Sequence, residues 1–120
     1  MAAERYKSTA TIANGASLSN ALQIFGSITR IEIPAAWTAA ALTFQVSSDG
    51  VNFSDLYDEF NTEVLIASAS IPTGTKRAIR LKLADWTNLL WLKLRSGTTG
   101  SPVNQGAERL IVVVKNDYSP

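Results

Sequence analysis

The sequence predicts an all-β fold, an antiparallel β-sandwich of the jelly-roll type with about eight strands. Apolar and polar residues alternate with a period of two in most of the apolar runs, and this alternation is typical of strands with one buried face. Turn-forming residues separate these runs, as expected for short strands that fold back on their neighbours. With 120 residues, the chain has the length of one domain with one core.

Eight segments carry the strand pattern. The clearest are residues 42–47 and 90–95, where leucine, phenylalanine or valine alternates with other side chains. Residues 110–114 are apolar on both faces, which indicates a central strand or one covered by a neighbour. In residues 51–57 the phase slips, which indicates a β-bulge near Ser54 and Asp55. The other predicted strands are residues 6–12, 30–33, 63–67 and 79–83.

Glycines mark three predicted turns, because glycine reaches a positive φ without a steric cost. They follow Asn14, Asp49 and Thr73, and the run of residues 47–50 (SSDG) between two alternating segments is the strongest hairpin signal in the chain. Pro34 ends an earlier strand, since proline lacks the N–H that a strand ladder needs. We predict one domain over residues 1–120, with short arms outside the core at residues 1–7 and 116–120.

Composition and charge argue against several classes of function. The net charge is +1, so no overall field attracts nucleic acid or an anionic membrane, and no run approaches the roughly 18 apolar residues that span a bilayer. The chain has no His and no Cys, which removes the usual general base, the commonest metal ligand and any thiolate nucleophile. We therefore predict a non-enzymatic protein without a cofactor or metal. We expect neither nucleic acid nor membrane as a partner, and synthesis in the cytoplasm without secretion.

Two groups of charged residues each allow two interpretations. One group consists of Asp55, Asp58, Glu59 and Glu63. These carboxylates either hold Ca²⁺ or form a solvated loop, and we favour the loop because their spacing does not match an EF-hand. The other group consists of Arg80, Lys82, Lys93 and Arg95. If their strands pair, these residues form a basic patch that either meets an acidic neighbouring protein or remains solvated.

Tryptophans and small residues are the apolar candidates for contacts with other molecules. Trp91 follows Leu89 and Leu90 on the polar side of an alternating strand, which indicates a subunit contact or a covering loop. Trp37 and Trp86 lie in irregular stretches, where they either plug the open ends of the sandwich or stack on a glycan. Alanines within residues 35–41 would let a neighbouring backbone come close. The predicted interface comprises Trp37, Ala39, Ala40, Arg80, Lys82, Leu89, Trp91, Lys93 and Arg95.

The order of elements resembles the discoidin-type, galactose-binding-like jelly roll. Residues 31–33 (IEI) are similar to an early I-x-I strand of that family, and residues 47–53 (SSDGVNF) are similar to its S-x-D-G hairpin. Residues 90–95 (LWLKLR) and the apolar run 110–114 resemble its later strands. The resemblance covers about residues 28–115 and implies a jelly-roll fold.

A second resemblance is to small proteins encoded by tailed bacteriophages and prophages. It rests on residues 33–47 (IPAAWTAAALTFQVS), 49–50, 55–58, 93–98 and 102–105. This resemblance implies a structural protein of the virion, a capsid decoration (cement) protein at the head surface. Such a protein binds the major capsid protein or another virion protein between capsomers, as a homo-oligomer with a trimer favoured. The alternative is a carbohydrate-binding or host-adsorption module of the virion, with Trp37 and Trp86 as its glycan contacts.

Overall fold

In the computed structural model, which describes residues 6–82 and 86–117, eight antiparallel strands form one curled sheet. The predicted all-β, sandwich-like fold with eight strands is confirmed. The strands are β1 (Lys7–Ile12), β2 (Leu22–Ile33), β3 (Leu42–Ser47), β4 (Ser54–Asp55), β5 (Leu65–Ile66), β6 (Arg77–Arg80), β7 (Leu89–Ser96) and β8 (Arg109–Asp117). A single 3-10 turn spans Ser68–Ser70. Among the described residues, no helix has the length and apolar character needed to cross a bilayer.

Strand β2 gives the sheet its layered form, because it pairs with different neighbours along its length. Residues 22–26 pair with β7, whereas residues 26–32 pair with β8 and residues 30–33 pair with β6 on the opposite edge. One half of the sheet therefore has the order β1-β8-β2-β6, and the other half has the order β2-β7-β3 with β4 and β5 along β3. The curl brings the inner faces of both halves around one core.

Two register irregularities bend β2. The pairing with β7 shifts between Gln23 and Gly26, and Phe25 between them has a φ of 47°, in the left-handed region. The pairing with β8 shifts between Ile28 and Arg30. A bulge of this kind bends the strand and changes the face on which later side chains lie. The phase of the buried positions changes at the second irregularity: residues 22, 24 and 26–28 are buried before it, and residues 31 and 33 after it.

The core is mainly aliphatic and contains two buried indoles. Nine of its members, from β2, β3, β7 and β8, have no exposed surface: Ile24, Ile28, Ile31, Leu42, Phe44, Leu92, Leu94, Ile111 and Val113. Each buried aliphatic or aromatic side chain of this size contributes roughly 1.5–3 kcal/mol. Trp86 closes the cluster, with its ring edge-to-face with Phe44 at a centroid distance of 4.6 Å. Burial therefore holds together a chain that has no disulfide.

Strand β8 lies between β1 and β2, so residues 110–114 form a central strand, the first of the two predicted alternatives. Ile111 and Val113 face the core and are fully buried. Further along this strand, Lys115 is also buried, and its Nζ donates a hydrogen bond of 2.9 Å to the carbonyl oxygen of Gln23. That carbonyl lies at the first irregularity of β2, where the regular ladder is interrupted.

Several predicted boundaries differ from the observed ones. Strand β2 begins at Leu22 rather than at residue 30. The prediction missed its first part because exposed Phe25 and buried Gly26 interrupt the apolar alternation, and the second irregularity then shifts its phase. Residues 51–57 contribute only the two residues of β4. Leu90 does not share the burial of Leu92 and Leu94; it is exposed and lines a surface cleft near the start of β7.

The predicted arms lie largely outside the described residues. Residues 1–5, 118–120 and Leu83 of the predicted sixth strand all fall outside them. Within the ranges assigned to the arms, Lys7 already belongs to β1, and residues 116–117 belong to β8.

Candidate interaction surface

The outer face of the β7–β3 half of the sheet carries three aromatic side chains and a lysine. We call this group the aromatic face; it consists of Phe25, Phe53, Trp91 and Lys93. Trp91 and Lys93 are two residues apart on β7 and therefore lie on the same side of the sheet. The rings of Phe25 and Trp91 meet edge-to-face at 5.9 Å, and the Nζ of Lys93 lies 4.4 Å from the ring centroid of Phe53, a cation–π distance.

The hairpin between β3 and β4 folds against Trp91 through Gly50. A Cβ atom on Gly50 would lie 2.8 Å from Cε2 of Trp91, and Gly50 has a φ of 78°. Both the close approach and the positive φ require glycine at this position. Trp91 is thus partly covered by a loop and partly exposed, which is one of the two outcomes that its place in the sequence predicts.

Asp49 holds the tip of this hairpin in one conformation. Its Oδ1 accepts hydrogen bonds of 2.8 Å from the N–H groups of Val51 and Asn52 and from the hydroxyl of Ser47. The backbone N–H groups of Asn52 and Val51, followed by the side chains of Asn52 and Ser47, hold the pKa of the Asp49 carboxyl well below its usual value. The hairpin that packs against Trp91 is therefore fixed by its own hydrogen bonds.

Arg95 is buried at the edge of the same outer face and makes four side-chain hydrogen bonds. Its Nη1 donates to Oδ1 of Asp55 at 2.7 Å, and its Nη2 donates to Oε2 of Glu63 at 2.8 Å. Nη2 also donates to the hydroxyl of Thr99 at 2.7 Å, and Nε donates to the hydroxyl of Thr43 at 3.0 Å. We call this group the Arg95 clamp. Only 6% of the Arg95 surface is exposed, so these bonds form with little competition from water.

The clamp holds both ends of a protruding hairpin, residues 57–63, which we call the clamped hairpin. Asp55 precedes the hairpin, and Glu63 ends it in a bridge with Tyr57. The Arg95 guanidinium, followed by the Gln45 amide, holds the pKa of the Asp55 carboxyl below its usual value. Both ends of the hairpin are thus fixed to the sheet by one cation.

The tip of the clamped hairpin is also ordered by hydrogen bonds. Oδ1 of Asp58 accepts from the N–H groups of Phe60 at 2.9 Å and Thr62 at 3.0 Å, and the N–H of Asp58 donates to the carbonyl of Thr62 at 2.8 Å. Asn61 takes the left-handed conformation, with a φ of 63°, that a tight turn needs. Phe60 stands on this turn with 81% of its surface exposed.

The prediction of one basic patch formed by Arg80, Lys82, Lys93 and Arg95 is wrong. It required the strands of Arg80 and Lys82 to pair with the strand of Lys93 and Arg95, but β6 pairs with β2 and not with β7. Arg80 and Lys82 are exposed on another part of the molecule. The charge of Arg95 is moreover offset by Asp55 and Glu63.

The predicted acidic group is divided by the same clamp. Asp55 and Glu63 pair with Arg95, and Asp58 accepts bonds within its own turn. In residues 6–82 and 86–117, no three Asp, Glu, His or Cys side chains are placed to hold a metal ion. Two of the four carboxylates therefore stabilise the fold.

The remaining predicted contact residues differ in their exposure. Trp37 and Trp86 are 3% and 4% exposed, and Nε1 of Trp37 donates to the carbonyl of Ala40 at 3.2 Å. Their indole rings therefore pack in the core and present no face on which a sugar could stack. Of the predicted interface, Ala39, Arg80 and Lys82 are exposed, Trp91 and Lys93 are partly exposed, and Trp37, Ala40, Leu89 and Arg95 are buried.

Three aromatic residues of these surfaces were not predicted as contacts. Phe25 lies in the irregular part of β2, where no sequence period marks it. Phe53 precedes β4, in the segment where the period slips. The exposure of Phe60 could have been predicted from the sequence. Phe60 lies between the turn-forming residues Asp58 and Asn61, so it belongs to no regular strand that could bury it.

These features define an antiparallel β-sandwich-like domain whose outer face combines partly exposed aromatic rings with the ion-pair network of Arg95. Comparison with protein-family models, with curated proteins and with solved structures found no match.

Proposed function

We propose that this chain is a non-enzymatic bacteriophage structural protein, a capsid decoration protein that stabilises the head by binding between capsomers as a homo-oligomer. The link to the virion rests on the resemblance of residues 33–47, 49–50, 55–58, 93–98 and 102–105 to small proteins of tailed phages. The observation that carries the mode of action is the aromatic face. Its rings lie on the outside of the sheet although the core is already filled by other side chains.

The aromatic face has the composition of a binding surface. Aromatic side chains are enriched in the centres of protein interfaces, and tryptophan is prominent among residues whose loss weakens binding strongly. Trp91 is held by Gly50 and Phe25, and Phe53 contacts Lys93. Because these side chains are already ordered, binding would cost little further conformational entropy. Such a face suits contact with a broad, regular surface such as the outside of a capsid.

Mass spectrometry of purified virions, combined with binding to particles that lack the protein, tests this proposal. We expect the protein among the virion components and saturable binding to the particles. Trp91→Ala should weaken binding by about tenfold or more, whereas Leu110→Ala, an exposed apolar change on β8, should have little effect. Absence from virions, together with no binding to particles, would refute the proposal.

The alternative, a carbohydrate-binding or host-adsorption module, has support from a different feature. A cleft of about 470 Å³ lies at the open end of the sheet, and its lining includes Asp49, Asn52, Asn88 and Leu90. Polar groups beside apolar surface are the composition of a small-molecule site. Binding on a glycan array that is lost in Asn52→Ala and kept in Trp91→Ala would support this alternative over capsid decoration.

A further inference from the structure

The clamped hairpin presents an exposed aromatic side chain on a rigid support. Phe60 is 81% exposed, the largest exposure among the exposed large apolar side chains of the described residues. Asp58 orders the turn around it, and the Arg95 clamp fixes both ends. An aromatic residue on a preorganised loop loses little conformational freedom on binding, so more of its buried area contributes to affinity.

The hairpin also carries uncompensated negative charge. Glu59 precedes Phe60 and is exposed, and none of the ion pairs among the described residues includes Glu59 or Asp58. A complementary surface would therefore combine an apolar depression with basic side chains around it.

One cleft of the same chain has this composition. It has a volume of about 580 Å³ and lies beside the end of β6, lined by Ile28, Thr29, Arg80, Leu81, Lys82 and Asn116. Leu81 is partly buried and offers apolar surface, while Arg80 and Lys82 are exposed and take part in no ion pair among the described residues. Arg30 lies opposite Arg80 in the strand register, and the one carboxylate nearby on β2, Glu32, is bound to Arg30 at 3.0 Å. Among the side chains that the structure describes around this cleft, the uncompensated charges are therefore positive.

We propose that the clamped hairpin of one copy docks into the Arg80–Lys82 cleft of a second copy, with Phe60 against Leu81 and Glu59 beside Lys82. Within a single chain this contact is not made, since Phe60 is exposed. The two surfaces are different parts of the molecule, so the contact is heterologous, and it forms a closed ring if the rotation between copies closes. The inference rests on the homo-oligomer part of the proposed function and names its interface.

Sedimentation velocity and light scattering of the purified chain, at concentrations up to about 100 μM, test the inference. The wild type should form a discrete oligomer. Phe60→Ala should weaken self-association by about thirtyfold, as for a central aromatic contact. Glu59→Lys and Lys82→Glu should each weaken it, because each places like charges together. The double variant Glu59→Lys/Lys82→Glu should restore association, since it exchanges the two charges.

Two matched controls separate this contact from general surface effects. Val51→Ala removes an apolar side chain that is 78% exposed on the other hairpin, and Glu108→Lys reverses an exposed charge outside both surfaces. Neither should change the oligomer. At protein concentrations low enough for every variant to be monomeric, all variants should keep the wild-type unfolding midpoint. An oligomer that persists in Phe60→Ala, Glu59→Lys and Lys82→Glu overturns this interface while leaving the proposed homo-oligomer intact. A strictly monomeric wild type overturns both, whereas presence on virions is decided separately by mass spectrometry.

Discussion

Replacing Arg95 with methionine removes the cation of the clamp and keeps most of its apolar stem. Hydrogen bonds to charged groups contribute about 1.5–3 kcal/mol each. The Asp55 side chain is 33% exposed and keeps its bond from Gln45, so water replaces much of what it loses. The Glu63 side chain is only 11% exposed, and the described residues offer it no second cation. We therefore expect a loss of about 3 kcal/mol in the free energy of unfolding, dominated by Glu63.

Urea unfolding at neutral pH, followed by tryptophan fluorescence, measures this loss as a fall in the midpoint at constant slope. Lys93→Met is the matched control, because Lys93 lies on the same strand and face but contacts only the Phe53 ring among the described interactions. We expect it to cost less than about 1 kcal/mol. Adding Glu63→Gln to Arg95→Met should recover part of the loss, since it removes the unpaired buried charge. Equal losses in Arg95→Met and Lys93→Met, or no recovery in the double variant, would refute the reasoning.

Three further changes test other parts of the structure. Gly50→Ala should lower the free energy of unfolding by about 1–3 kcal/mol, because it strains a positive φ and overlaps the Trp91 ring; urea unfolding measures this. Trp86→Ala should cost about 3–5 kcal/mol in the same assay, because it empties a buried site. The pKa of Asp55 is lowered in the folded state, so its contribution is complete above its unfolded pKa of about 3.9 and is lost as pH falls through the folded pKa. Stability measured by thermal unfolding should fall below about pH 4, and less steeply in Asp55→Asn.

Each of these changes has a control within the chain. Gly74→Ala shares the positive φ, at 86°, but its new Cβ meets nothing within 4 Å, so it should cost less than Gly50→Ala. An equal cost would show that contact with Trp91 does not matter. Val51→Ala is the control for Trp86→Ala. Because Val51 is exposed, its replacement should leave the free energy of unfolding nearly unchanged. Identical acid dependence in wild type and Asp55→Asn would contradict the ion-pair explanation of the lowered pKa.

The sequence was sufficient for the fold class because most strands keep a simple period. Residues 42–47 and the central strand at 110–114 could be predicted from alternation and from apolar character alone. The first eight residues of β2 could not, because an exposed phenylalanine and a buried glycine interrupt the apolar alternation at residues 25–26, and the second irregularity then shifts the phase of the buried positions. The position of a bulge depends on which strands pair, and these strands are distant in sequence. The local pattern of apolar residues therefore cannot predict it.

The candidate site was harder to predict from the sequence, because it too depends on pairing between strands that are distant in sequence. The alternation of residues 90–95 puts Arg95 on the same side of its strand as Trp91 and Lys93, but its ion-pair partners lie 40 and 32 residues earlier in the chain. Only the alignment of β7 with β3, and of β3 with β4 and β5, brings Arg95 over Asp55 and Glu63. The sequence alone does not reveal that alignment. It therefore predicts a basic patch that includes Arg95, and a separate solvated loop that includes Asp55 and Glu63. Trp91 was recognised because a large aromatic residue interrupts a polar face, a signal that needs no knowledge of pairing.

The position of β8 between β1 and β2 has a consequence for biosynthesis. The eighth strand in chain order fills the gap between the first two, so β1 cannot complete its hydrogen bonding until residue 114 has left the ribosome, and β2 cannot until residue 117 has. Until then, the nascent chain exposes two unsatisfied edges that invite pairing with other chains. Expression at lower temperature, or with slower translation initiation, lowers the concentration of incomplete nascent chains. It should therefore raise the soluble yield.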